Sequence, residues 1–437
     1  MSLSLYLHQD VGASWIVEHE RRVVGLFDDL GLGKTITALE AARRLNARSV
    51  LVVAPAVVLW NWRREVELWF DADVVVATKP EDVRRARVVI VSRDRIRNSE
   101  MLCALLKRSW SMLIADEAHG FKEPTAKRTQ AFVALLNRAE RALWVTATPV
   151  PNHPGELWTF LRAAAPDRIA QKGGLRAVSY ATFLHRYCNV DMFGGVRGAK
   201  NVAELRQRCR GLWLRRRLTD VIDLPAVRHE EVVVRAEVTT LTTSLPTETE
   251  WGARFDADPD AALAALERTE DFSTWRRLCG EAKASPVAEL IAQEIHSGLR
   301  KLVVMVHHRS VGDAIATQLD AYGIDVMSIS GSTPPHVRTQ RVERFQTDDA
   351  ARVIVCNIVA GGVGITLTAA HELLFVELSF VPGENMQAAG RIRRIGQTRP
   401  VRIRYAVLDR SIDARIVSTL KRKIRDIRDT VTYDDKP

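Results

Sequence analysis

The stretch DDLGLGKT, Asp28 to Thr35, follows an apolar run, Val23–Phe27, and opens directly into a helical pattern. Glycines let backbone N–H groups approach an anion with no Cβ in the way, and a helix N-terminus adds its positive end. Asp29, Gly31 and Gly33 would then line a phosphate site in which Lys34 reaches the β- and γ-phosphates and the Thr35 hydroxyl ligates Mg²⁺; a Gly-rich turn with an exposed Lys is the plainer reading. The strict phosphate-loop pattern has glycine five places before Gly33, where this chain carries Asp28. Further on, the run Met112–Ala115 ends in Asp116-Glu117-Ala118-His119. An acidic pair at a strand's carboxyl end can hold Mg²⁺ through Asp116 while Glu117 polarises an attacking water; two solvated carboxylates opening a helix are the plainer reading. Thr146 and Thr148 end another strand in WVTATP, where hydroxyls can couple a γ-phosphate to a moving neighbour. Arg391 and Arg394 in QAAGRIRRIGQ stand three apart, on one face if helical, and arginine stabilises the charge of a phosphoryl-transfer transition state.

Buried strands and their helices must position these groups. Val23–Phe27, Val50–Val53, Val88–Val91, Met112–Ala115 and Ala142–Thr146 are continuous apolar runs, separated by helix-length stretches such as Thr35–Asn46 and Ala126–Leu136. Such alternation predicts a parallel sheet covered by helices. A second series follows at Lys301–Val306, Asp325–Ile329, Arg352–Cys356, Glu372–Glu377 and Arg402–Val407. Residues 150–235 read as mainly helical with a Gly-rich interruption at Phe193–Gly198, and 239–285 as a polar, acidic connector. The expected domains are 1–235, with a helical insertion at about 150–220, then a connector over 236–285, then 286–437.

Composition narrows the class. The formal charge is +10 and arginine outnumbers lysine 51 to 12, which favours polyanion partners without locating a site. The 5 cysteines lie far apart, so neither a zinc knuckle nor a disulfide scaffold is indicated. No apolar run approaches the roughly 18 residues of a membrane helix. The first residues, MSLSLYLHQD, lack the pattern of a signal peptide. The expectation is a cytoplasmic protein, nuclear in a eukaryote, monomeric and away from membranes. His307 and His308 follow a strand but have no third metal ligand nearby in sequence.

Taken together and in this order, these motifs resemble the superfamily-two helicase-like ATPases, and finer matches are similar to the Swi/Snf branch. DDLGLGKT resembles D-E-M-G-L-G-K-T, which accounts for Asp28; DEAHGFKEPTAK, TATPVPNHPGELW, GITLTAA and QAAGRIRRIGQ each resemble a motif of that branch. The run VVAPAVVLWNWRREVELW resembles its second motif, with Trp62 and Glu65 in matching places. HRYC, WLRRRLTDVIDLPA and VMVHHRSVGDAI are similar to the annealing-helicase, HARP-like group. The resemblance implies an α/β fold of two tandem RecA-like parallel-sheet domains with a helical insertion between them. It implies nucleotide chemistry for Lys34, Thr35, Asp116, Glu117, Arg391 and Arg394, adenine recognition by Gln9, and a nucleotide contact at Gly364. It implies contacts to a DNA backbone at Pro55, Lys122, Lys127, Ser332, Thr333, Gly364 and Thr366. Arg393 stands where the family has His, and the departures at Val359 and Gly390 bear on coupling rather than on ATP binding.

The implied activity is an ATP- and Mg²⁺-dependent translocase on double-stranded or forked DNA, a remodelling or annealing motor without accessory domains, with a replication or repair protein as possible partner. Hydrolysis then depends on domain closure, which brings the second domain's arginines to the first domain's site. The alternatives are an RNA or single-strand helicase and a nucleic-acid binding module with an inactive ATP site. Arg215, Arg216 and Arg217 fit a nucleic-acid patch or a brace between domains. Trp60, Trp62 and Trp158 are read as core residues rather than base-stacking platforms.

Overall fold

Runs of β-branched residues with no polar alternation become strands covered on both faces, and here they do so twice. The computed structural model describes residues 4–431 other than 71, 85, 151, 172–173, 175, 191–195, 222–223, 237–247, 362–364, 395 and 410. The chain divides into two units, Met1–Ile222 with Thr430–Pro437 and Asp223–Asp429.

The first unit contains β1 (Val23–Leu26), β2 (Val50–Ala54), β3 (Val74–Val76), β4 (Val88–Ser92), β5 (Trp110–Asp116) and β6 (Ala139–Val145). A hairpin, β7 (Cys188–Val190) with β8 (Val196–Ala199), and the two-residue β9 (Trp213–Leu214) follow. The main sheet has 7 strands in the order β3-β4-β2-β5-β6-β1-β9. Every neighbouring pair is parallel. All strands therefore end at one edge, where open α/β sheets carry their ligand sites. Residues of β2 and β4 are buried throughout. Under the carboxyl end of β6 lies an aromatic cluster: Phe121 stacks on Phe132 at 4.1 Å, and Trp144, Phe160, Phe27 and Trp213 continue it edge to face or tilted.

The second unit contains β10 (Val227–Val234), β11 (Leu302–Val306), β12 (Val326–Ile329), β13 (Val353–Asn357), β14 (Glu372–Phe375) and β15 (Val401–Leu408). They form a 6-stranded sheet in the order β10-β15-β14-β11-β13-β12, again all parallel. One apolar core lies on each face of this sheet.

The anticipated strands are present, and five more were not foreseen: β3, and β7, β8, β9 and β10 within the stretch read as mainly helical. The first domain was expected to reach residue 235, but the division falls at Ile222/Asp223, because β10 pairs with β15 along its whole length. The acidic stretch read as a connector holds the helices Glu248–Ala257 and Pro259–Leu266 and the start of Phe272–His296. These bury Trp251, Phe255, Leu263, Leu266 and Trp275 in the second unit's core. Within the Gly-rich interruption, Val196–Ala199 is a strand, and Phe193 to Gly195 lie outside the described residues. No helix among the described residues is long and apolar enough to cross a membrane.

Candidate nucleotide site

Three adjacent strands, β5, β6 and β1, deliver the phosphate-type loop, the acidic pair and the threonines to one edge of the first sheet. Asp116 ends β5 and Lys34 follows β1, so β6 lies between their strands.

The loop after β1 needs backbone that L side chains rarely adopt. Gly33, at φ +72, sits at the N-cap of the helix Lys34–Arg44, and Gly31 has φ +90. No side chain caps this helix start, so its first N–H groups face an incoming anion. The Lys34 ammonium donates to the carbonyls of Asp28 at 2.8 Å and Asp29 at 3.0 Å, curling the loop around it. Burial pushes the Lys34 pKa down, opposed by the charges of Glu117, Asp28, Asp29 and Asp116. Gln9 is buried with its amide engaged: its oxygen accepts from Tyr6 N at 3.0 Å and its nitrogen lies 3.5 Å from Leu32 O. A Cβ on Gly33 would come within 2.2 Å of that nitrogen, so the glycine also lets the initial helix, Leu7–Glu18, pack on the loop.

Asp116 accepts from Trp62 Nε1 at 2.7 Å and from Glu117 N at 2.9 Å. Burial and the neighbouring Glu117 charge raise its pKa to about 6, against the pull of Trp62, the Glu117 N–H and Lys34. Glu117 holds a left-handed backbone, φ +47, which is costly for a non-glycine residue and concentrates at functional sites. Its carboxylate accepts from Thr146 Oγ1 at 3.3 Å and lies 3.3 Å from His119 Nδ1. His119 Nδ1 is 3.1 Å from Thr146 Oγ1 and 3.4 Å from Thr148 Oγ1. The two threonines thus meet the acidic motif directly.

The donor set fits a phosphate ester with a divalent cation: an ammonium, an uncapped helix start, the Thr35 hydroxyl and the Asp116 carboxylate. Among the described residues no group of three or more His, Cys, Asp or Glu is arranged to hold a metal. Mg²⁺ bound through one or two protein oxygens, waters and phosphates needs none.

In the second unit, Arg391 and Arg394 converge without a shared helix face. The helix Pro382–Ala389 stops at Gly390, and the arginines follow in turns. Arg391 Nη1 donates to Ile365 O at 3.4 Å, while Arg394 Nη1 donates to Ile365 O at 3.2 Å and to Thr366 Oγ1 at 2.8 Å. Thr366, assigned to DNA by resemblance, therefore orients Arg394. Gly364 lies outside the described residues.

The remaining nucleic-acid candidates differ in character. Lys127 is exposed at the start of the helix Lys127–Leu136, whereas Pro55 is buried. Lys122 forms an ion pair with Glu156 at 2.6 Å, and Glu156 also accepts from Asn152 N and Nδ2. Ser332 is exposed and Thr333 closes a turn onto Ser330 N at 2.9 Å, ahead of the helix Pro335–Thr347. His307 and His308 donate their backbone N–H groups to Glu377 Oε2, and His308 Nδ1 lies 2.6 Å from Glu377 Oε1.

Sequence reasoning overlooked the role of Trp62, which is buried as expected but orients Asp116; its place in the second motif was the available signal. Trp158 is buried as expected, while Trp60 is 55% exposed with Arg63 over its ring at 5.5 Å, contrary to the core reading. Arg93, after β4, also went unremarked; a Cβ on Gly120 would lie 2.7 Å from its guanidinium, so Arg93 packs across the acidic motif's turn.

Residues 8–241 match the SNF2-related domain, and residues 282–396 match the helicase conserved C-terminal domain. A Caenorhabditis elegans SWI/SNF-related matrix-associated actin-dependent regulator of chromatin subfamily A-like protein 1 homolog is 30% identical over 96% of this chain and 61% of its own length. The Mus musculus DNA annealing helicase and endonuclease ZRANB3 is 29% identical over 91% of this chain and 38% of its own. The chain thus spans well under two thirds of these relatives. A Sulfolobus solfataricus SWI2/SNF2 ATPase core in complex with dsDNA aligns with 99% of this chain and 93% of its own at 20% identity and a TM-score of 0.47. With both halves of the motor matched in order, this chain belongs to the SNF2-related family.

Proposed function

We propose that the chain is a DNA-dependent ATPase, an ATP- and Mg²⁺-using motor on double-stranded or forked DNA. The observation that carries this reading is the convergence of Lys34, Asp116, Glu117 and Thr146 at the ends of three adjacent strands. Lys34 and the helix start hold the phosphates, and Thr35 and Asp116 hold the cation. A Mg²⁺ held there would supply charge neutralisation to the phosphates. Glu117, oriented by Thr146 and His119, accepts the proton of the attacking water. Gln9 is assigned to the adenine by resemblance and Arg391 and Arg394 to transition-state charge, while Lys127, Ser332, Thr333 and Lys122 are the candidates for DNA backbone contacts. Relatives named as annealing helicases support remodelling or reannealing over processive unwinding.

Lys34→Ala and Glu117→Gln should each lower turnover by about 10²-fold or more while leaving most DNA affinity. An active Glu117→Gln would remove Glu117 from its role as base.

A further inference from the structure

The arginines Arg215–Arg217 fitted two readings in sequence, a nucleic-acid patch or a brace between domains, and the first two do something else. β9 pairs with the carboxyl-terminal half of the loop's own strand, Gly25 opposite Trp213 and Leu26 opposite Leu214. Gly25 allows this approach, since a Cβ there would lie 2.8 Å from Trp213 Cβ and 2.7 Å from Phe27 Cζ. Past β9 the chain runs beside the phosphate-type loop, with Phe27 N donating to Leu214 O at 2.8 Å and Asp29 N to Arg216 O at 3.0 Å.

Side chains then lock the two segments. The fully buried Asp28 carboxylate accepts from Arg216 N at 2.9 Å and Arg216 Nε at 3.1 Å, and forms an ion pair with Arg216 Nη2. Arg216 Nη1 also donates to His8 O. Asp29 accepts from Leu218 N at 3.1 Å and from Arg215 Nη2 at 3.4 Å. Arg215 Nη1 reaches Phe27 O at 3.0 Å and Ala147 O, in the TATP turn, at 3.3 Å. The backbone carbonyls of the same two aspartates receive the Lys34 ammonium.

We infer that Arg216, assisted by Arg215, is a positioning residue for nucleotide binding: it fixes Asp28 and Asp29, and through their carbonyls it sets where Lys34 stands. Asp28 occupies the place of the usual first glycine because the turn is held by a buried ion pair rather than by glycine flexibility. Removing Arg216 leaves a carboxylate buried without its cation, which is a severe perturbation of this loop. The inference rests on the nucleotide reading of Lys34.

The test uses the full chain and mant-ADP with Mg²⁺, together with amide hydrogen exchange of the nucleotide-free protein. Arg216→Ala should raise the mant-ADP Kd about tenfold, equivalent to about 1.4 kcal/mol, and speed exchange in peptides covering Phe27–Lys34. Arg141→Ala is the control, since Arg141 caps the carbonyls of His19 and Arg21 at the other end of the sheet. It should change neither readout, even at an equal loss of Tm. Arg216→Lys should recover part of the affinity, and adding Asp28→Asn to Arg216→Ala should recover part by removing the stranded charge. These two variants carry the test if Arg216→Ala does not fold. A wild-type Kd in Arg216→Ala, or an equal rise in Arg141→Ala at matched Tm, overturns the inference alone. A wild-type protein that binds no mant-ADP overturns the nucleotide reading beneath it.

Discussion

Lys34 in the first unit and Arg394 in the second are both half-buried cations assigned to the same chemistry, yet their surroundings are opposite. Burial lowers the pKa of each, but around Lys34 four carboxylates, Glu117, Asp28, Asp29 and Asp116, work against that shift. At Arg394 burial acts alone, and the groups it donates to, Ile365 O and Thr366 Oγ1, are neutral. The first site sets several acids against one cation. The second offers a guanidinium whose charge is not spent on a carboxylate, which suits it to meeting an anion supplied from elsewhere.

This contrast predicts different kinetic signatures. Arg394→Ala should lower kcat by about 10³-fold, the scale on which an arginine stabilises phosphoryl transfer, while mant-ADP affinity stays within about twofold. A large loss of nucleotide affinity in that variant would erase the distinction between the units. A smaller effect sharpens the acidic side. Trp62→Phe removes the hydrogen bond that lowers the Asp116 pKa and orients its carboxylate. It should raise the Mg²⁺ concentration needed for half-maximal turnover by roughly tenfold, in line with about 1.5 kcal/mol for a hydrogen bond to a charged group. An unchanged Mg²⁺ requirement would mean that Trp62 serves packing only.

The smallest expected effect lies in the second unit and concerns stability. Burial first, then the charges of Arg276 and His308, push His307 down to about 4, against the pull of Glu377. The unfolded chain protonates this imidazole near 6.5, so folding keeps it neutral where the unfolded state would charge it. Its contribution is fully present above pH 6.5 and is lost as pH falls from there towards 4. Between pH 7 and 5 the Tm of wild type should fall by more than that of His307→Gln. Parallel Tm curves would remove His307 as the cause.

What was legible in the sequence was what local spacing controls. Asp116, Glu117 and Thr146 sit at the ends of unbroken apolar runs and Lys34 and Thr35 one short loop beyond another, and such runs become central parallel strands that bring their ends together. The Arg216–Asp28 pair was not legible, because its members are 188 positions apart and only the β9–β1 pairing makes them neighbours. β10 escaped because VRHEEVVV carries four consecutive polar residues, which a strand at a sheet edge tolerates. Trp60 and Trp62 were both placed in the core, although residues two apart on a helix point to different sides. Trp62 took the buried side and Trp60 the exposed one. The expectation of a helical face for Arg391 and Arg394 overlooked Gly390, where the helix stops; the Ile365 carbonyl, not helical periodicity, brings the two guanidiniums together.

The most direct test of the central claim is ATP hydrolysis by the purified chain and by Lys34→Ala, with double-stranded, forked and single-stranded DNA and with RNA, at two salt concentrations. The account predicts turnover stimulated by duplex or forked DNA, weakened by salt as backbone contacts require, and absent in Lys34→Ala. Stimulation by RNA or single strands alone, or turnover indifferent to Lys34, would contradict it.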